Sequence, residues 1–357
     1  MKMAATRIVL DEAVCSGEIP GAVAVAGASG RRCEPLVVGV RKYDGPAATA
    51  DTRYDLASLT KVVATLPCVL RLLSDGELQL DDPVGRYIEN AGWFQSPSLA
   101  EVPIRELLTH TSGRPSWRPL FAWTSDRLTA LANALQTPLG QRGAVLYSDL
   151  GFIVLGAIVE RVARQRLDAF AAQNVFGPLG MQATGYRPLP AAEPGAAPPV
   201  AATEDCGWRN QLLEGVVHDE NAFRLDGVAG HAGLFGTAGD LATYAQAWLS
   251  WDRRLGREEV LRATTEQHVD SGAVRRGLGW LLKGQDSFAG ARATAAGFGH
   301  TGFTGTSLWI EPGAQRFAVL LTNRVHPSRR RGAHMHALRR AFHDAVAQDL
   351  DDGEGAP

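Results

Sequence analysis

Ser58-Leu59-Thr60-Lys61 opens an apolar stripe, Leu59, Val62, Val63, Leu66, Val69, Leu70 and Leu73, that recurs at helical spacing and stops at Gly76. Residues i and i+3 share a helix face, so the Ser58 hydroxyl and the Lys61 amine can meet. At a helix start, free N–H groups and the dipole favour negative charge on the serine oxygen. Pro67 is an awkward fit, because it removes a hydrogen bond and should kink the helix about two turns after Ser58. Lysine is rare in this chain: the 357 residues hold four lysines against thirty-two arginines. Arginine stays charged at any accessible pH, whereas burial and neighbouring cations can drive a lysine neutral. A lysine kept here is therefore read as one that exchanges a proton. With fifteen serines, Ser-x-x-Lys is expected by chance roughly 0.17 times. The bland alternative is an N-cap serine followed by a solvated lysine.

Two more motifs lie downstream. Tyr147-Ser148-Asp149 precedes the apolar run Leu150 to Val159. His300-Thr301-Gly302 ends a strand-like stretch from Phe298, followed by a turn near Gly305 and a second strand at Ser307-Leu308-Trp309-Ile310. In this order and at these separations, the three resemble the signatures of the serine β-lactamase and penicillin-binding-protein superfamily: Ser-x-x-Lys, Tyr-x-Asn or Ser-x-Asn, and Lys-Thr-Gly or His-Thr-Gly. The resemblance covers nearly the whole chain. Arg53-Tyr54-Asp55-Leu56-Ala57 leads into the serine as the family usually does. Leu107-Leu108-Thr109-His110-Thr111-Ser112-Gly113 and Gly233-Leu234-Phe235-Gly236-Thr237-Ala238-Gly239-Asp240-Leu241 match two further recurrent stretches.

Chemically, Ser58 would attack a carbonyl carbon and form an acyl-enzyme once a base has taken its proton. Lys61 and Tyr147 are both candidates for that base, since a lysine of ordinary pKa, roughly 10.4, is almost wholly charged at neutral pH. The resemblance implies an oxyanion hole from the N–H groups of Ser58 and Phe303, with His300, Thr301 and Gly302 on the substrate side. His300 and Thr301 would bind a substrate carboxylate or pass a proton to the leaving group. Two departures from the family pattern narrow the reading. Asp149 stands where asparagine is usual, so it either holds Lys61 charged or recognises a donor on the substrate. His300 replaces the lysine of true β-lactamases with an imidazole whose unperturbed pKa is roughly 6.5, so it is expected to titrate near neutrality. No Glu-x-x-Leu-Asn stretch supplies a class A deacylating glutamate; class C β-lactamases, low-molecular-weight DD-peptidases and related esterases are the relatives the resemblance points to.

A histidine-rich pair of segments, His218-Asp219-Glu220-Asn221 and Gly230-His231-Ala232-Gly233, is read either as plain loop structure or as a pocket wall in which His218, Asp219 and His231 position substrate. Its spacing matches no metalloenzyme motif, so no metal and no cofactor is assigned. A similar segment occurs in a branch of the family associated with muropeptide processing.

An apolar share of 45% and a charged share of 21% supply a large core. A net charge of −2 argues against nucleic-acid or anionic-membrane partners. Arg329-Arg330-Arg331 and Arg339-Arg340 are read as a solvated face, and His334, His336 and His343 as surface residues. For Trp93, Trp117, Trp123 and Trp208, core packing is the default, with some lining the groove. Cys15, Cys33, Cys68 and Cys206 form no metal or disulfide pattern. The first residues lack the apolar run of a signal peptide, and no stretch approaches ~18 apolar residues, so no membrane insertion and a cytoplasmic location are expected. The partner expected is a small-molecule or peptide substrate; oligomeric state is not legible.

A helix over about 4–17, a hairpin of Ala22–Ala28 with Pro35–Arg41, strands at 277–283, 298–301, 306–311 and 317–322, and a final helix over about 331–349 make an α/β (α+β) fold. It is expected as one antiparallel sheet built from both termini, flanked by helices, with an inserted helical lobe. The boundaries read are one catalytic domain over 1–350, with an α/β lobe of about 1–57 plus 270–350, a helical lobe of about 58–269 and a disordered tail at 351–357. Residues 187–200 read as a flexible surface loop. The function this implies is a serine hydrolase acting on an amide or ester, foremost a D-amino-acid-containing peptide or muropeptide. A carboxylesterase of the same fold, or a penicillin-recognising protein without turnover, are the alternatives.

Overall fold

The segment Gly21–Ala28 (β1) carries only glycine, alanine and valine, and every residue of it is buried. Side chains alternate across a strand, so small residues throughout let helices close on both faces. Ala22, Ala24 and Ala26 share one hydrophobic cluster with Leu10 of the first helix, Ala4–Cys15, and with Leu338, Phe342 and Val346 of the last, Met335–Glu354. Val23 and Val25 belong to the opposite cluster, which includes Leu241 and Trp248 of the helix Ala238–Leu249. This computed structural model describes residues 3–354 except 29, 96, 188–197, 273, 286 and 332–333.

Around β1 the chain ends meet in one antiparallel sheet. Its order is β2 (Arg31–Arg32), β1, β14 (Arg316–Thr322), β13 (Ser307–Glu311), β12 (Phe298–Thr301), β11 (Leu281–Leu282), β10 (Arg275–Arg276) and β9 (Val269–Asp270). A further strand, β3 (Leu36–Gly39), also pairs with β1. The register runs Ala22↔Thr322 to Ala28↔Arg316, and His300↔Leu308 within the β12–β13 pair. A smaller sheet joins β4 (Tyr54–Asp55) and β5 (Gly185–Tyr186) to the two edges of β8 (Leu234–Gly236). The short hairpin of β6 (Asp205–Cys206) and β7 (Gln211–Leu212) stands apart.

Three sequence expectations change here. The last helix is longer than read, running through Asp351 and Asp352 to Glu354, with 355–357 outside the described residues. Its Asp349 accepts from the amides of Ala5 and Thr6 at 3.0 and 2.9 Å, capping a first helix whose own N-cap, Met3, offers no side-chain acceptor. His343 is buried, not at the surface: it sits beside Phe342 with Nε2 3.1 Å from Ser307 Oγ, while His334 and His336 are exposed. Of the loop read over 187–200, residues 188–197 lie outside the described ones, but Pro199 and Ala201 bracket Arg53 through backbone hydrogen bonds of 2.8 and 2.9 Å. Among the described residues, no helix is long and apolar enough to cross a membrane.

Candidate active site

Strand β4 delivers the serine. Asp55, buried at its end, accepts from the amide of Ala57 at 2.8 Å and from that of His218 at 2.7 Å. The first bond holds Ala57 at φ 45°, a left-handed conformation that a residue with a Cβ rarely adopts, directly before Ser58. From the other side, Thr304 and Thr306 of the β12–β13 turn donate their hydroxyls to the carbonyls of Asp55 and Leu56, at 2.7 and 3.2 Å. Gly302 makes this approach possible, because a Cβ there would stand 2.5 Å from the Leu56 carbonyl oxygen. The turn thus brings Phe303 beside Ser58. Among the described residues, neither of their amides enters a backbone hydrogen bond.

The kink expected at Pro67 takes the form of a widened turn. Residues Lys61–Thr65 are π-helical, with the Leu66 amide bonded to the Lys61 carbonyl, before a regular helix over Leu66–Asp75. In that pattern the Val62 carbonyl would need the missing N–H of Pro67. The buried Tyr244 hydroxyl donates to it instead.

Lys61 is fully buried behind Ser58. Its Nζ donates to Ser58 Oγ at 3.0 Å, to Asp149 Oδ1 at 2.7 Å and to the His231 carbonyl at 3.2 Å. Desolvation draws the Lys61 pKa down, but the Asp149 carboxylate and Tyr147 outweigh it, and the net direction is up. In the resting site Lys61 is therefore an ammonium ion held charged by Asp149, one of the two roles read for that carboxylate. Tyr147 lies over the same ammonium, with Lys61 Nζ 4.8 Å from its ring centre. Burial raises the phenol's pKa against the opposing pull of Lys61, so Tyr147 keeps its proton. Positioning comes from His110, also at positive φ, whose Nδ1 accepts from the Ser148 amide at 2.9 Å while its ring lies on Tyr147 with centroids 4.6 Å apart. Ser148 caps the helix Asp149–Ala163 and places Asp149 in its first turn.

The facing wall is β12. His300 is buried, and burial, then Lys61 and Arg276, push its imidazole down to about 3. Near neutrality it does not titrate, which corrects the expectation from its unperturbed value. Nδ1 lies 2.8 Å from the Thr301 carbonyl, so that nitrogen donates and Nε2 keeps a lone pair with no partner among the described residues. Two arginines that the sequence did not single out for this wall join it. Arg276 of β10 is 5% exposed, its guanidinium carbon stands 5.5 Å from the Tyr147 ring centre, and neither Nε nor Nη1 has a partner among the described residues. Arg339, read as part of a solvated face, instead reaches inward and donates to the carbonyls of Gly302 and Thr306 at 2.7 and 3.0 Å. Arg329, from the same presumed face, pairs with Glu204 and Glu220 at 2.6 Å each.

One pocket of about 600 Å³ is lined by Ser58, Tyr147, Asp149, Thr301, Gly302 and Phe303, with His218, Asp219 and His231 along one side and Arg276, His300 and Arg339 along the other. Every sequence-derived site residue therefore meets here, Lys61 lying just beneath. His218 turns its Nε2 to Glu204 at 3.1 Å, and His231 pairs with Asp219 at 2.9 Å. Ligand atoms of Asp149, Asp219 and His231 fall within 4.8 Å of one another, but the Lys61 ammonium already neutralises Asp149 there and repels a second cation. Missed by the sequence reading were Asp55, His110, Arg276 and Arg339. So was the exposure of Trp93, Trp117, Trp123 and Trp208, all of which lie at the surface rather than in the core.

Comparison with known proteins agrees with this architecture. The family model described as Beta-lactamase matches residues 7–341. A protein of Escherichia coli K12, provisionally named a D-alanyl-D-alanine carboxypeptidase, is 34% identical over 328 residues, covering 80% of this chain and 74% of that one. The N-acetylmuramyl-L-alanine amidase of Bacillus subtilis strain 168 is 33% identical over 347 residues, covering 86% and 78%. Among solved structures, a class C beta-lactamase mutant superposes with a TM-score of 0.76 at 18% identity, over 97% of each chain.

Proposed function

Since the chain belongs to the beta-lactamase family and is a hydrolase, we propose that it cleaves an amide bond in a carboxylate-bearing peptide that contains D-amino acids, or in a muropeptide, through an acyl-enzyme on Ser58. The observation that carries the substrate class is Arg276. A guanidinium buried with two unsatisfied nitrogens costs several kcal/mol unless an anion completes it. The anion it fits is a carboxylate entering the pocket opposite Ser58. The names of the two relatives, a carboxypeptidase and an amidase, point to the same chemistry.

The catalytic sequence follows from where protons rest. At the start Lys61 is charged and Asp149 is its counterion. Substrate expels water from the pocket, and a drier site favours the neutral pair, so the proton crosses 2.7 Å to Asp149 and leaves Lys61 a free amine. An asparagine here could not take that proton. The amine, 3.0 Å from Ser58 Oγ, accepts the hydroxyl proton as the oxygen attacks the carbonyl carbon. The oxyanion meets the amides of Ser58 and Phe303, each such donor being worth about 10²–10³ in rate. As the C–N bond breaks, Tyr147 gives its proton to the leaving nitrogen and regains one from Lys61. Water then attacks the ester by the same groups in reverse, releasing the acid and restoring Ser58.

The test is a panel of D-Ala-D-Ala peptides, muropeptides, cephalosporins and short neutral esters incubated with the purified protein and read by mass spectrometry. Cleaved peptide or muropeptide amide bonds support the reading. Turnover confined to neutral esters makes the protein a carboxylesterase instead, and labelling by penicillin with no turnover of any substrate makes it a binding protein.

A further inference from the structure

Exposed indoles continue the pocket outward. Trp117 lines the pocket together with Ser58 and is 41% exposed, and Trp208 is 45% exposed. Phe121 bridges them, with ring centroids 6.2 Å from Trp117 and 4.8 Å from Trp208, and Phe223 lies edge-on to Trp208 at 6.0 Å. The guanidinium groups of Arg209 and Arg224 each stand 5.2 Å from the Trp208 ring centre. Large aromatics left at the surface in a contiguous row mark a binding site rather than a folding need.

The row is held rigidly to the catalytic pocket. Buried Asn221 accepts from the Phe121 amide at 3.1 Å and donates to the Arg118 carbonyl at 2.8 Å, which fixes the Trp117–Phe121 segment on the helix Glu220–Arg224. Arg209 donates to the carbonyls of Val217 and His218 at 2.6 and 3.0 Å. His218 itself lines the pocket, so these bonds join the Trp208 hairpin to the catalytic wall. Trp117 has Phe121 alone as an aromatic neighbour among the described residues and leaves much of its indole open.

The geometry points to a saccharide subsite: Trp117, buttressed by Phe121, which Trp208 backs in turn, stacks against the C–H face of a pyranose ring that is covalently joined to the peptide held in the pocket. An indole offers a flat apolar surface of pyranose size, and the sugar hydroxyls are left facing water and the guanidinium rim. This rests on the muropeptide reading of the same site and selects, within it, the sugar-bearing substrate over the free peptide.

Two measurements test it. The ratio of kcat/KM for an N-acetylmuramyl-peptide over the same free peptide is measured in the wild type and in Trp117→Ala. The inference expects a ratio above one that falls about tenfold in the variant. Separately, peptide-free N-acetylglucosaminyl-N-acetylmuramic acid is added to the Ser58→Ala protein and followed by saturation-transfer NMR. Signal on the ring protons that disappears in the Ser58→Ala/Trp117→Ala protein supports the subsite; an equal or absent signal overturns it, as does a ratio that Trp117→Ala leaves unchanged. Because the NMR arm needs no turnover, a protein that binds the disaccharide but cleaves neither peptide nor muropeptide defeats the proposed reaction alone. Peptide cleavage without sugar binding defeats the subsite alone.

Discussion

The two walls of the pocket treat buried charge in opposite ways. Behind Ser58, Lys61 is fully buried, yet its ammonium meets Ser58, Asp149 and the His231 carbonyl within 3.2 Å. On the facing wall, the Arg276 guanidinium is buried with two nitrogens that have no partner among the described residues. A satisfied charge can pass its proton only along bonds already made, so the first wall is built for proton transfer. An unsatisfied one is stabilised only by what enters, so the second wall is built for recognition.

The sharpest way to break this contrast is Lys61→Arg. A spectator cation would tolerate the exchange, since a guanidinium also pairs with Asp149. A proton carrier would not, because arginine does not give up its proton, and kcat/KM should fall by about 10²–10⁴. Activity within about tenfold of wild type would remove proton transfer from Lys61's role. Arg276→Met probes the other wall. Carboxylate-bearing substrates should lose about 10–100-fold in kcat/KM while neutral esters lose little, and the urea midpoint should not fall, since an unpaired buried charge has gone. Equal losses on both substrate types would place Arg276 in the chemical step.

Asp149→Asn separates the two roles of the carboxylate. Without it, burial is left as the leading influence on Lys61 and draws its pKa down. Because Lys61 acts as base only after losing its proton, and an asparagine cannot take it, the limb on which kcat/KM rises with pH should follow this lowered Lys61 pKa. An unmoved limb would mean that Asp149 does not set the Lys61 proton. The smallest effect concerns His343, whose imidazole burial holds down to about 3. The unfolded state binds a proton below roughly 6.5 and the folded state does not, so stability falls as pH drops through that window by about 1.4 kcal/mol per pH unit. His343→Gln should remove about one proton from the slope of stability against pH between 6 and 4. An unchanged slope would show that His343 is protonated in the fold.

What could be read in the sequence follows the same divide. Ser58, Lys61, Tyr147, Asp149 and His300 were legible because their chemistry depends on fixed spacing, and the sheet because β12, β13 and β14 carry apolar runs between clear turns. Arg276 was not, since a sequence shows a charge but not whether a fold hides it. The strand read from the sequence starts at Gly277, whereas the fold makes Arg275–Arg276 a two-residue strand of its own, with Leu281–Leu282 as the next, so the reading passed over Arg276. Arg339 and His343 were taken for surface because charge and imidazole favour water, while Leu338, Phe342 and Val346 on the same helix marked the face that buries them. Asp55 and His110 act through backbone amides, which leave no signature in side-chain spacing. The tryptophans failed for the converse reason: aromatic residues default to the core, and only the folded surface shows which ones stay out.

The central claim is that Ser58 is the acylated nucleophile of this pocket. Its most direct test is intact-protein mass spectrometry after brief exposure to a fluorophosphonate or a penicillin, followed by peptide mapping, on wild type and on Ser58→Ala with its fold checked by circular dichroism. The account predicts one covalent adduct on the peptide carrying Ser58 in the wild type and none in the variant. An adduct of the same mass that persists in folded Ser58→Ala would contradict it.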